Sequence, residues 1–502
     1  MSSNLKIKSK NIPAAKLGII AVSRDCFPAE LSERRREAVV KSLTGKGMDI
    51  YNCKITAENE LDVMKALADV QANGVNALVI FLGNFGPESP ETMLAQKFGG
   101  PVMFVAAAEE TKDDLFNGRG DAYCGMLSMS YNMALRNIKA YIPEYPVGTA
   151  CEVAEMIKDF GIIARAYLGI KNLKIMTFGP RPQDFFACNA PIAPLYKIGV
   201  EVQENSELDL YESYIKHADD KRISDVVKEI EEDLKNGTCK FPKVIPQLAQ
   251  FELTLRDWYD NNLGASNYGA FANKCWPAFQ TSFNFVPCYV NSRFTSKGIP
   301  ISCETDIYGA LTEYILTCVT EEPVTLLDIN NTVPKDLYDA NKNIVKDYTY
   351  NDLFMGFHCG NTPVCRLKES TLSHQLIMKR LIEPDSEPFM SRGTLEGDIA
   401  ASDITFFRLQ SSADGELRSY IAEGEVLDVP SMSFGGIGVV AIKEMARFYR
   451  HVLIQKQFPH HGGVGFMKCG KYLYELLKLL GVCDISYNQP KSVLYKTENP
   501  FN

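Results

Sequence analysis

Short apolar runs alternate with amphipathic stretches through the first 110 residues of the chain. The runs KLGIIAVS (16–23), ALVIFLG (77–83) and PVMFVAA (101–107) are almost wholly apolar, as buried strands are, and the stretches between them have helical spacing. Strands of this kind that alternate with helices indicate a doubly wound parallel sheet, because the crossover helices cover both of its faces. We therefore predict an N-terminal α/β domain over residues 1–168.

The same pattern returns in the middle of the chain and then changes. KIMTFGP (174–180) opens a second strand–turn–helix–strand series, and the helices predicted at 223–237 and 251–264 each end on a glycine. Later runs are short and β-prone and are broken by Gly, Asp and Ser, which favours an antiparallel sheet or barrel. We predict a central α/β domain over residues 169–350 and a β-rich, antiparallel, barrel-like domain over residues 351–502.

Length and charge agree with a multidomain globular protein. A chain of 502 residues is too long for a single core and should form roughly two to four domains. Acidic residues outnumber basic ones by 62 to 53, and no basic stripe is present, so we do not expect nucleic acid as a partner. No run reaches the ~18 apolar residues that a membrane span requires, so we expect no membrane insertion.

Cysteine usage indicates a reducing compartment. The 14 cysteines form no CxxC pair, and they occur singly in apolar runs or beside glycine. This pattern favours buried free thiols over a disulfide framework. The first residues, MSSNLKIKSKNIPAAK, lack the apolar stretch of a signal peptide. We predict a cytoplasmic protein.

Two carboxylates stand out in the stretch from Cys275 to Asn331. Glu304 lies at the start of a predicted helix in GIPISCETDIYGALTEYIL, and Asp328 ends the next apolar run in PVTLLDINN. Ligands of α/β proteins gather at the carboxyl ends of strands and at helix N-termini. Two acids at such positions could bind a divalent cation and move protons. The alternative is an ordinary helix-capping acid and a loop acid.

Three of the six histidines lie in contexts that suit a site. His460 and His461 are adjacent in FPHHGGVGF, where we predict a glycine-rich turn whose small residues let a ligand approach the rings. His358 lies in MGFHCGNTP, at a predicted strand-to-turn junction. Two carboxylates and one imidazole suit Mn²⁺ or a similar hard ion, whereas a zinc site is more typically built from Cys and His.

Other common motifs are absent from the sequence. The first strand-to-helix turn, VSRDCFPAE, has no GxGxxG, so a dinucleotide site is not expected there. Its Arg24 still follows a strand, where a binding role and a structural role are both open. The glycine-rich GGIG (435–438) and HGGVGF lack the GK[ST] of a phosphate loop, and no GxSxG occurs. ATP chemistry and a serine nucleophile are therefore not indicated.

The order of these features resembles the L-fucose/L-arabinose ketol-isomerase family over essentially the whole chain. The resemblance is strongest in PISCETDIYGAL, LLDIN and PHHGG. It implies an aldose–ketose isomerase that uses Mn²⁺, with Co²⁺ or Mg²⁺ as substitutes. It implies that Glu304, Asp328 and His461 bind the metal and that Glu304 and Asp328 are the catalytic acid–base pair. It also implies a monosaccharide substrate and a homohexamer.

Further residues are assigned to the substrate by the same resemblance. Gln280, in CWPAFQ, and His460 are expected to contact sugar hydroxyls. Arg24 is expected among the substrate-binding residues because of its position after a strand, not because of the resemblance. His358 follows Asp328 by 30 residues, further along than the additional His of the arabinose branch, and is expected to line the pocket. The aspartate at position 328 is more similar to the fucose branch.

Departures from the family pattern leave the substrate open. The chain is shorter than a typical L-fucose isomerase, and RPQDFF and HCGN suggest a divergent subgroup. The substrate is either an aldose of the L-fucose type or a 6-modified hexose such as sulfoquinovose. Both proton transfer between C1 and C2 and a hydride shift use the same ligands. A non-catalytic sugar-binding protein is the alternative from another class, although it would lack the acid–acid–His set.

Overall fold

The computed structural model describes residues 5–188, 190–377 and 387–501. The chain forms two compact units. The first unit comprises residues 13–168 and 475–481. The second unit comprises the described residues of 1–12, 169–474 and 482–502. The described part of the chain has no helix that is both long and apolar enough to cross a bilayer.

The first unit is an α/β layer built on parallel strands. Its elements are β1 (Leu17–Val22), α1 (Ala29–Gly45), β2 (Tyr51–Asn52), α2 (Glu60–Ala72), β3 (Ala77–Leu82), α3 (Glu88–Phe98), β4 (Val102–Ala107), α4 (Ala122–Leu135), β5 (Val147–Gly148) and α5 (Ala150–Ile170). The strands form one parallel sheet in the order β2-β1-β3-β4-β5. Every residue of β1, β3 and β4 is buried, as their apolar sequences require. The predicted N-terminal parallel sheet is confirmed.

The second unit begins with another parallel sheet. Its first elements are β6 (Leu173–Phe178), α6 (Ala193–Lys197), β7 (Glu201–Asn205), α7 (Glu207–Lys216), α8 (Ile223–Asp233), β8 (Thr238–Cys239), α9 (Ile245–Asn262), β9 (Tyr268–Ala272), α10 (Phe279–Phe283), α11 (Cys288–Ser296), β10 (Ile301–Ser302) and α12 (Ile307–Thr320). The order β10-β9-β6-β7 is parallel throughout. The second predicted α/β layer is therefore also confirmed.

The rest of the second unit is mostly antiparallel β-structure. Its elements are β11 (Thr325–Asn331), α13 (Lys335–Ala340), β12 (Leu353–His358), β13 (Thr371–His374), β14 (Arg392–Asp398), β15 (Ser402–Ser411), β16 (Leu417–Leu427), β17 (Gly436–Ala441), α14 (Met445–Phe448), β18 (His461–Gly465), α15 (Gly470–Leu480) and β19 (Asp484–Tyr487). Six strands pair in the circular order β16-β15-β18-β11-β12-β17, and β17 pairs back to β16. Every pairing in this ring is antiparallel, so the predicted barrel-like arrangement is present.

Strand β11 joins the two kinds of sheet along the sequence. It lies within residues 169–350, the range predicted for the central domain, but its ladder partners are the barrel strands β12 and β18. The helix before it, α12, is buried along its whole length from Tyr308 to Thr320. A helix that is apolar on all sides is typical of a core position. The segment that carries both predicted acids therefore runs from the parallel layer into the barrel wall.

The glycine-rich stretch after His461 is a strand, and the predicted turn is wrong. His461–Gly465 forms β18, which pairs with β11 and β15. A Cβ atom on Gly463 would lie 2.8 Å from Cγ2 of Thr312 and 2.9 Å from Cδ1 of Leu316, both on α12. Glycine in a strand often marks a site where another element approaches closely. The glycines here serve helix packing rather than chain reversal.

Candidate active site and metal centre

Four predicted site residues come together in the second unit. Nε2 of His461 lies 3.4 Å from Oε2 of Glu304 and 3.3 Å from Oδ1 of Asp328. Nε2 of His460 lies 3.5 Å and 3.9 Å from the same two oxygen atoms. His461 is fully buried, whereas His460 retains 37% side-chain exposure. The two carboxylates and two imidazoles thus converge on one point, with His460 at its exposed side.

Strand register explains the proximity of Asp328 and His461. These residues are direct cross-strand partners in the antiparallel pair of β11 and β18. Directly opposed residues have Cβ atoms roughly 4.5–5.5 Å apart and project to the same face. The acid of LLDIN and the second histidine of PHHGG are therefore placed side by side by backbone hydrogen bonding alone.

Glu304 lies in a strained loop between β10 and α12. Its φ is +59°, and that of Thr305 is +56°, so two non-glycine residues in succession adopt the left-handed conformation. Each such residue costs of the order of 1–3 kcal/mol and persists where the surroundings determine it. The backbone N–H of Thr305 donates to the carbonyl of Asn273, at the end of β9, over 2.8 Å. This loop, rather than a regular helix start, positions the Glu304 carboxylate.

A buried ion pair lies behind His461 and was not predicted from the sequence. Nδ1 of His461 lies 2.8 Å from Oδ2 of Asp306, and the Arg408 guanidinium donates to both oxygens of Asp306 over 2.6 and 2.8 Å. Asp306 also accepts the backbone N–H of Gly309 and so caps α12. Because Nδ1 is engaged, Nε2 is the nitrogen left to face Glu304 and Asp328.

The sequence did contain a signal for this pair. Arg408 stands alone in the apolar run ITFFRLQ of β15, and its side chain has 0% exposure. Arginine is almost never fully buried unless it is paired. A charged partner was therefore to be expected, although the run does not indicate which acid supplies it.

The charge states follow from burial and from these contacts. Burial opposes ionisation of Glu304, but the hydrogen bond from His460 and the charge of His461 outweigh it and lower its pKa. Burial likewise opposes ionisation of Asp306, yet the charge of Arg408 and the hydrogen bond to His461 hold its pKa far below the ordinary value. Burial lowers the pKa of His461, but its contacts with Asp306 and Cys188 raise it well above 6.5 overall. These directions favour ionised Glu304 and Asp306 carboxylates beside a protonated His461.

His358 ends β12 beside this cluster. Its ring centre is 5.7 Å from that of His461, and its Nδ1 accepts the backbone N–H of Cys359 over 3.0 Å. Burial lowers the pKa of His358, so the ring is neutral at physiological pH. With Nδ1 as acceptor, the proton resides on Nε2, which is buried and has no hydrogen-bond partner among the described residues. His358 can therefore offer one N–H to a ligand.

The two remaining predicted residues have different surroundings. Gln280, on α10, is fully buried, and neither amide atom finds a partner in the described part of the chain. Buried amides are normally satisfied, so an unmet amide suits a ligand contact. Arg24 lies in the first unit at the end of β1, where its Nε donates to the carbonyl of Gly86 and its guanidinium covers Phe85 at 4.7 Å. A substrate role for Arg24 stays a prediction.

Cys188 is a further member of the cluster that the sequence analysis did not identify. Its Sγ lies 3.6 Å from Oε2 of Glu304 and 3.7 Å from Nδ1 of His461. The residue follows the turn RPQDFF, and burial raises the pKa of its thiol. In the same turn, Phe185 packs edge-on against Trp276 and His460, with ring centres 5.6 and 6.0 Å away.

The residues present fit a divalent metal ion. Potential ligand atoms lie within 4.8 Å of one another in two overlapping groups, Cys188–Glu304–His460–His461 and Asp328–His358–His461. Nε2 of His461 and Oδ1 of Asp328 are buried and make no hydrogen bond to described residues. Buried polar atoms without partners are rare in native proteins. Carboxylate oxygens and imidazole nitrogens at these separations would satisfy such an ion's first shell.

A third group of potential ligands is an ion-pair network instead. His217, Asp220 and Asp257 also lie within 4.8 Å of one another. Arg222, however, binds both carboxylates over 2.6 and 2.7 Å, and both ring nitrogens of His217 are engaged. These groups are satisfied without a metal, so we assign them a structural role.

Comparison with known protein families identifies both ends of the chain. Residues 18–171 match the fucose/sulfoquinovose isomerase N-terminal domain, and residues 356–486 match the L-fucose isomerase C-terminal domain. Together these matches take up more than half of the 502 residues. The second match contains both His358 and His461.

Several curated proteins named sulfoquinovose isomerase are similar to the chain. That of Alkalicoccus urumqiensis is 23% identical over 317 residues, covering 62% of this chain and 64% of that protein. That of Clostridium sp. (strain MSTE9) is 28% identical over 294 residues, covering 57% and 58%. That of Priestia aryabhattai is 23% identical over 469 residues, covering 92% and 97%. The chain thus spans less than two thirds of the first two relatives and nearly all of the third.

The similarity of this chain to a solved solute-binding protein is too weak to indicate its fold or function. A periplasmic solute-binding protein of an ABC transporter from Actinobacillus succinogenes is 12% identical, covers 61% of this chain and 92% of its own, and has a TM-score of 0.16. The assignment therefore rests on the two domain matches and the curated relatives. The chain belongs to the fucose/sulfoquinovose isomerase family, as a divergent member.

Proposed function

We propose that this protein is a Mn²⁺-dependent aldose–ketose isomerase. The observation that carries the proposal is the buried Nε2 of His461, which lies 3.3 Å and 3.4 Å from the carboxylates of Asp328 and Glu304 and makes no hydrogen bond to described residues. Oxygen and imidazole donors suit Mn²⁺, with Co²⁺ or Mg²⁺ as substitutes. Family membership supports the same function.

The two acids have the properties that the isomerisation requires. An aldose becomes its ketose when hydrogen moves from C2 to C1 and an oxygen-bound proton is redistributed. The lowered pKa of Glu304 keeps its carboxylate ionised at neutral pH, as a base must be. Asp328 faces the same point and would serve as its acid–base partner. A bound Mn²⁺ would supply positive charge that stabilises the oxyanion developing in the transition state.

Three side chains are proposed to hold the sugar. His460 is partly exposed and could contact a hydroxyl at the entrance of the site. His358 presents Nε2–H, and Gln280 presents an amide with no partner among the described residues. These donors and the Gln280 acceptor would replace the water that a sugar hydroxyl gives up on binding. Arg24 is retained as a proposed substrate contact.

Sulfoquinovose is the first substrate to test. The relatives at 23–28% identity are named for this 6-sulfonated hexose. L-Fucose, D-arabinose and L-arabinose are the comparison substrates, since the C-terminal domain match is to L-fucose isomerase. Ketose formation with Mn²⁺ is expected for at least one of these sugars and should disappear with EDTA.

Two variants test the assigned acids. Glu304→Gln and Asp328→Asn should each lower kcat by roughly 10²–10⁴-fold, the usual contribution of acid–base catalysis. Their folded state should be retained, as judged by thermal unfolding. Wild-type turnover in either variant would overturn its catalytic role. No turnover of any sugar by a wild-type protein that binds no Mn²⁺ would overturn the function.

The setting of the enzyme is also proposed. The exposed Cys26, Cys124 and Cys365 are free thiols, which favours the reducing cytoplasm. The family resemblance favours a homohexamer that acts in carbohydrate metabolism. Neither a membrane nor a nucleic acid partner is proposed.

A further inference from the structure

Cys188 places a thiol in a site otherwise composed of oxygen and nitrogen donors. The side chain is 3% exposed, and its Sγ lies 3.6 Å from Oε2 of Glu304. Its sulfur and the ligand atoms of Glu304, His460 and His461 all lie within 4.8 Å of one another. The thiol therefore lies beside three of the predicted site residues.

Buried ligand atoms without hydrogen-bond partners indicate that a cation can bind near the thiol. Nε2 of His461 is fully buried and without a hydrogen-bond partner among the described residues, and so is Oδ1 of Asp328. These atoms lie 3.3 Å apart, and Oε2 of Glu304 lies 3.4 Å from Nε2 of His461 and 3.6 Å from Sγ of Cys188. The observation is independent of the cysteine and points to a cation.

We propose that Cys188 is a conditional metal ligand that makes the site sensitive to thiophilic ions. With a hard ion such as Mn²⁺, Cys188 stays protonated and donates its S–H to Glu304. With Cd²⁺ or Zn²⁺, the S–H bond breaks, a sulfur–metal bond forms, and the proton leaves to solvent without electron transfer. This inference rests on the proposed function only in that the same site binds a divalent cation.

Ligand chemistry favours this division of roles. Thiolates select soft or borderline ions, whereas carboxylates and water suit Mn²⁺ and Mg²⁺. Zinc and similar ions accept four donors of mixed sulfur, nitrogen and oxygen type. Cys188, Glu304 and His461 supply one donor of each type, and His460 supplies a fourth. Thiophilic ions are therefore expected to bind tightly at the Mn²⁺ site and to displace Mn²⁺.

A second set of thiols must be separated from Cys188 in any test. The buried thiols of Cys275 and Cys288 share one neighbour, because Nε2 of Gln375 lies 3.4 Å from Sγ of Cys275 and 3.2 Å from that of Cys288. These thiols could also bind Cd²⁺. Cys275→Ser removes one of the two and is the matched control for Cys188→Ser.

The test is a cadmium titration of the full-length, metal-free protein. The ultraviolet sulfur-to-cadmium charge-transfer band and calorimetry would be followed in the wild type, Cys188→Ser and Cys275→Ser, and Mn²⁺ affinity would be measured in parallel. We expect Cys188→Ser to weaken Cd²⁺ binding by about ten-fold or more, which is at least the effect of removing an outer-sphere partner. Its Mn²⁺ affinity should not change, and Cys275→Ser should bind both ions as the wild type does.

Other outcomes would overturn the inference. An equal Cd²⁺ band and affinity in the wild type and Cys188→Ser would exclude Cys188 as a ligand, as would loss of the band in Cys275→Ser alone. Mn²⁺ binding without sugar turnover would count against the proposed function but not against the ligand role. If Cys188→Ser does not fold, cadmium NMR of the wild type is the deciding measurement. The resonance of interest is that of the Cd²⁺ ion that Mn²⁺ displaces. A chemical shift that indicates no sulfur ligand for this ion would overturn the inference.

Discussion

The Asp306–Arg408 pair fixes the orientation of His461 at considerable energetic cost. Both side chains are at most 1% exposed, and taking two charges out of water costs several kcal/mol for each ion. A bidentate guanidinium contact, the helix-capping bond to Gly309 and the bond to His461 offset that cost. The carboxylate orients the imidazole, so Asp306 determines that Nε2 is the nitrogen that faces Glu304 and Asp328.

Asp306→Asn should therefore affect both metal binding and stability. We expect Mn²⁺ affinity to fall roughly 10–100-fold, because outer-sphere partners of ligating histidines have effects of this size. The free energy of unfolding should fall by about 3–5 kcal/mol, because Arg408 would lose its buried counter-charge. Calorimetric Mn²⁺ titration and denaturant unfolding measure the two effects separately.

The matched control is Asp209→Asn in α7. Asp209 belongs to a capping box, and its Oδ2 accepts the backbone N–H of Ser206 over 2.8 Å. This control should lose only the modest stability of a cap, about 0.5–2 kcal/mol. Wild-type Mn²⁺ affinity in Asp306→Asn would show that His461 does not depend on this carboxylate.

Helix α12 and strand β18 are packed more closely than side chains on both elements would allow. Leu316 of α12 lies against both Gly463 and Gly465 of β18, where added Cβ atoms would be 2.9 and 3.2 Å from its methyl groups. The helix starts beside Glu304 and Asp306, and the strand starts at His461. Close packing of these two elements thus sets the distance between residues of the site.

Gly463→Ala should destabilise the protein. The new methyl group would meet Thr312 and Leu316 at under 3 Å, and overpacking of this kind typically costs about 1–3 kcal/mol. Gly45→Ala, at the end of α1, is the control, because a Cβ there meets nothing within 4 Å. That control should be neutral or stabilising by about 1 kcal/mol. Equal unfolding free energies for the two variants would refute the packing argument.

Glu313, in the middle of α12, should make the stability of the protein depend on pH. Burial and the charge of Asp306 raise its pKa to about 8. Because the folded-state pKa lies above the unfolded-state value, the protonated carboxyl favours folding at low pH. That contribution is lost as the pH rises from the unfolded pKa, about 4.3, to about 8.

Glu313→Gln should remove this dependence. Relative to the wild type, the variant should gain up to about 1.4 kcal/mol of stability for each pH unit between about 5 and 8. Denaturant unfolding at several pH values measures the difference, and Glu231→Gln on the exposed face of α8 is the control. A wild-type-to-variant difference that does not change with pH would show that Glu313 is not held protonated.

At the scale of the whole molecule, the candidate site lies entirely within the second unit. Glu304 comes from the loop after a strand of the parallel sheet, whereas Asp328 and His461 come from the barrel wall. The continuous polypeptide from β10 through α12 to β11 connects these two layers. The residues of the candidate site are therefore held between two sheets that share one hydrophobic core.

At this scale we predict that the protein forms a homohexamer. Sedimentation equilibrium of the purified protein should give a mass six times that of the chain, as the family resemblance implies. The mass should remain constant on dilution through the micromolar range if the hexamer is stable, because subunit affinity determines the dissociation range. A monomeric mass under conditions that support turnover would contradict the expected hexamer.

Local sequence alone determined the element types and part of the site. Period-two and period-3.6 patterns predicted both parallel sheets and the antiparallel barrel, because burial of one face of a strand or helix produces a regular spacing of apolar residues in the sequence. Short motifs around Glu304, Asp328 and His460–His461 identified side chains that do converge in the structure. The glycines of β18 were misinterpreted as a turn, because glycine serves both turns and close packing.

Tertiary structure alone determined the partners of those side chains. Asp306 is 155 residues from His461 and 102 from Arg408, and Cys188 is 273 residues from His461. Periodicity carries no information over such separations, because strand register and helix packing decide which distant residues meet. The sequence therefore identified the acids and histidines of the site, and the fold supplied the Asp306–Arg408 pair that orients His461 and the Cys188 thiol beside Glu304.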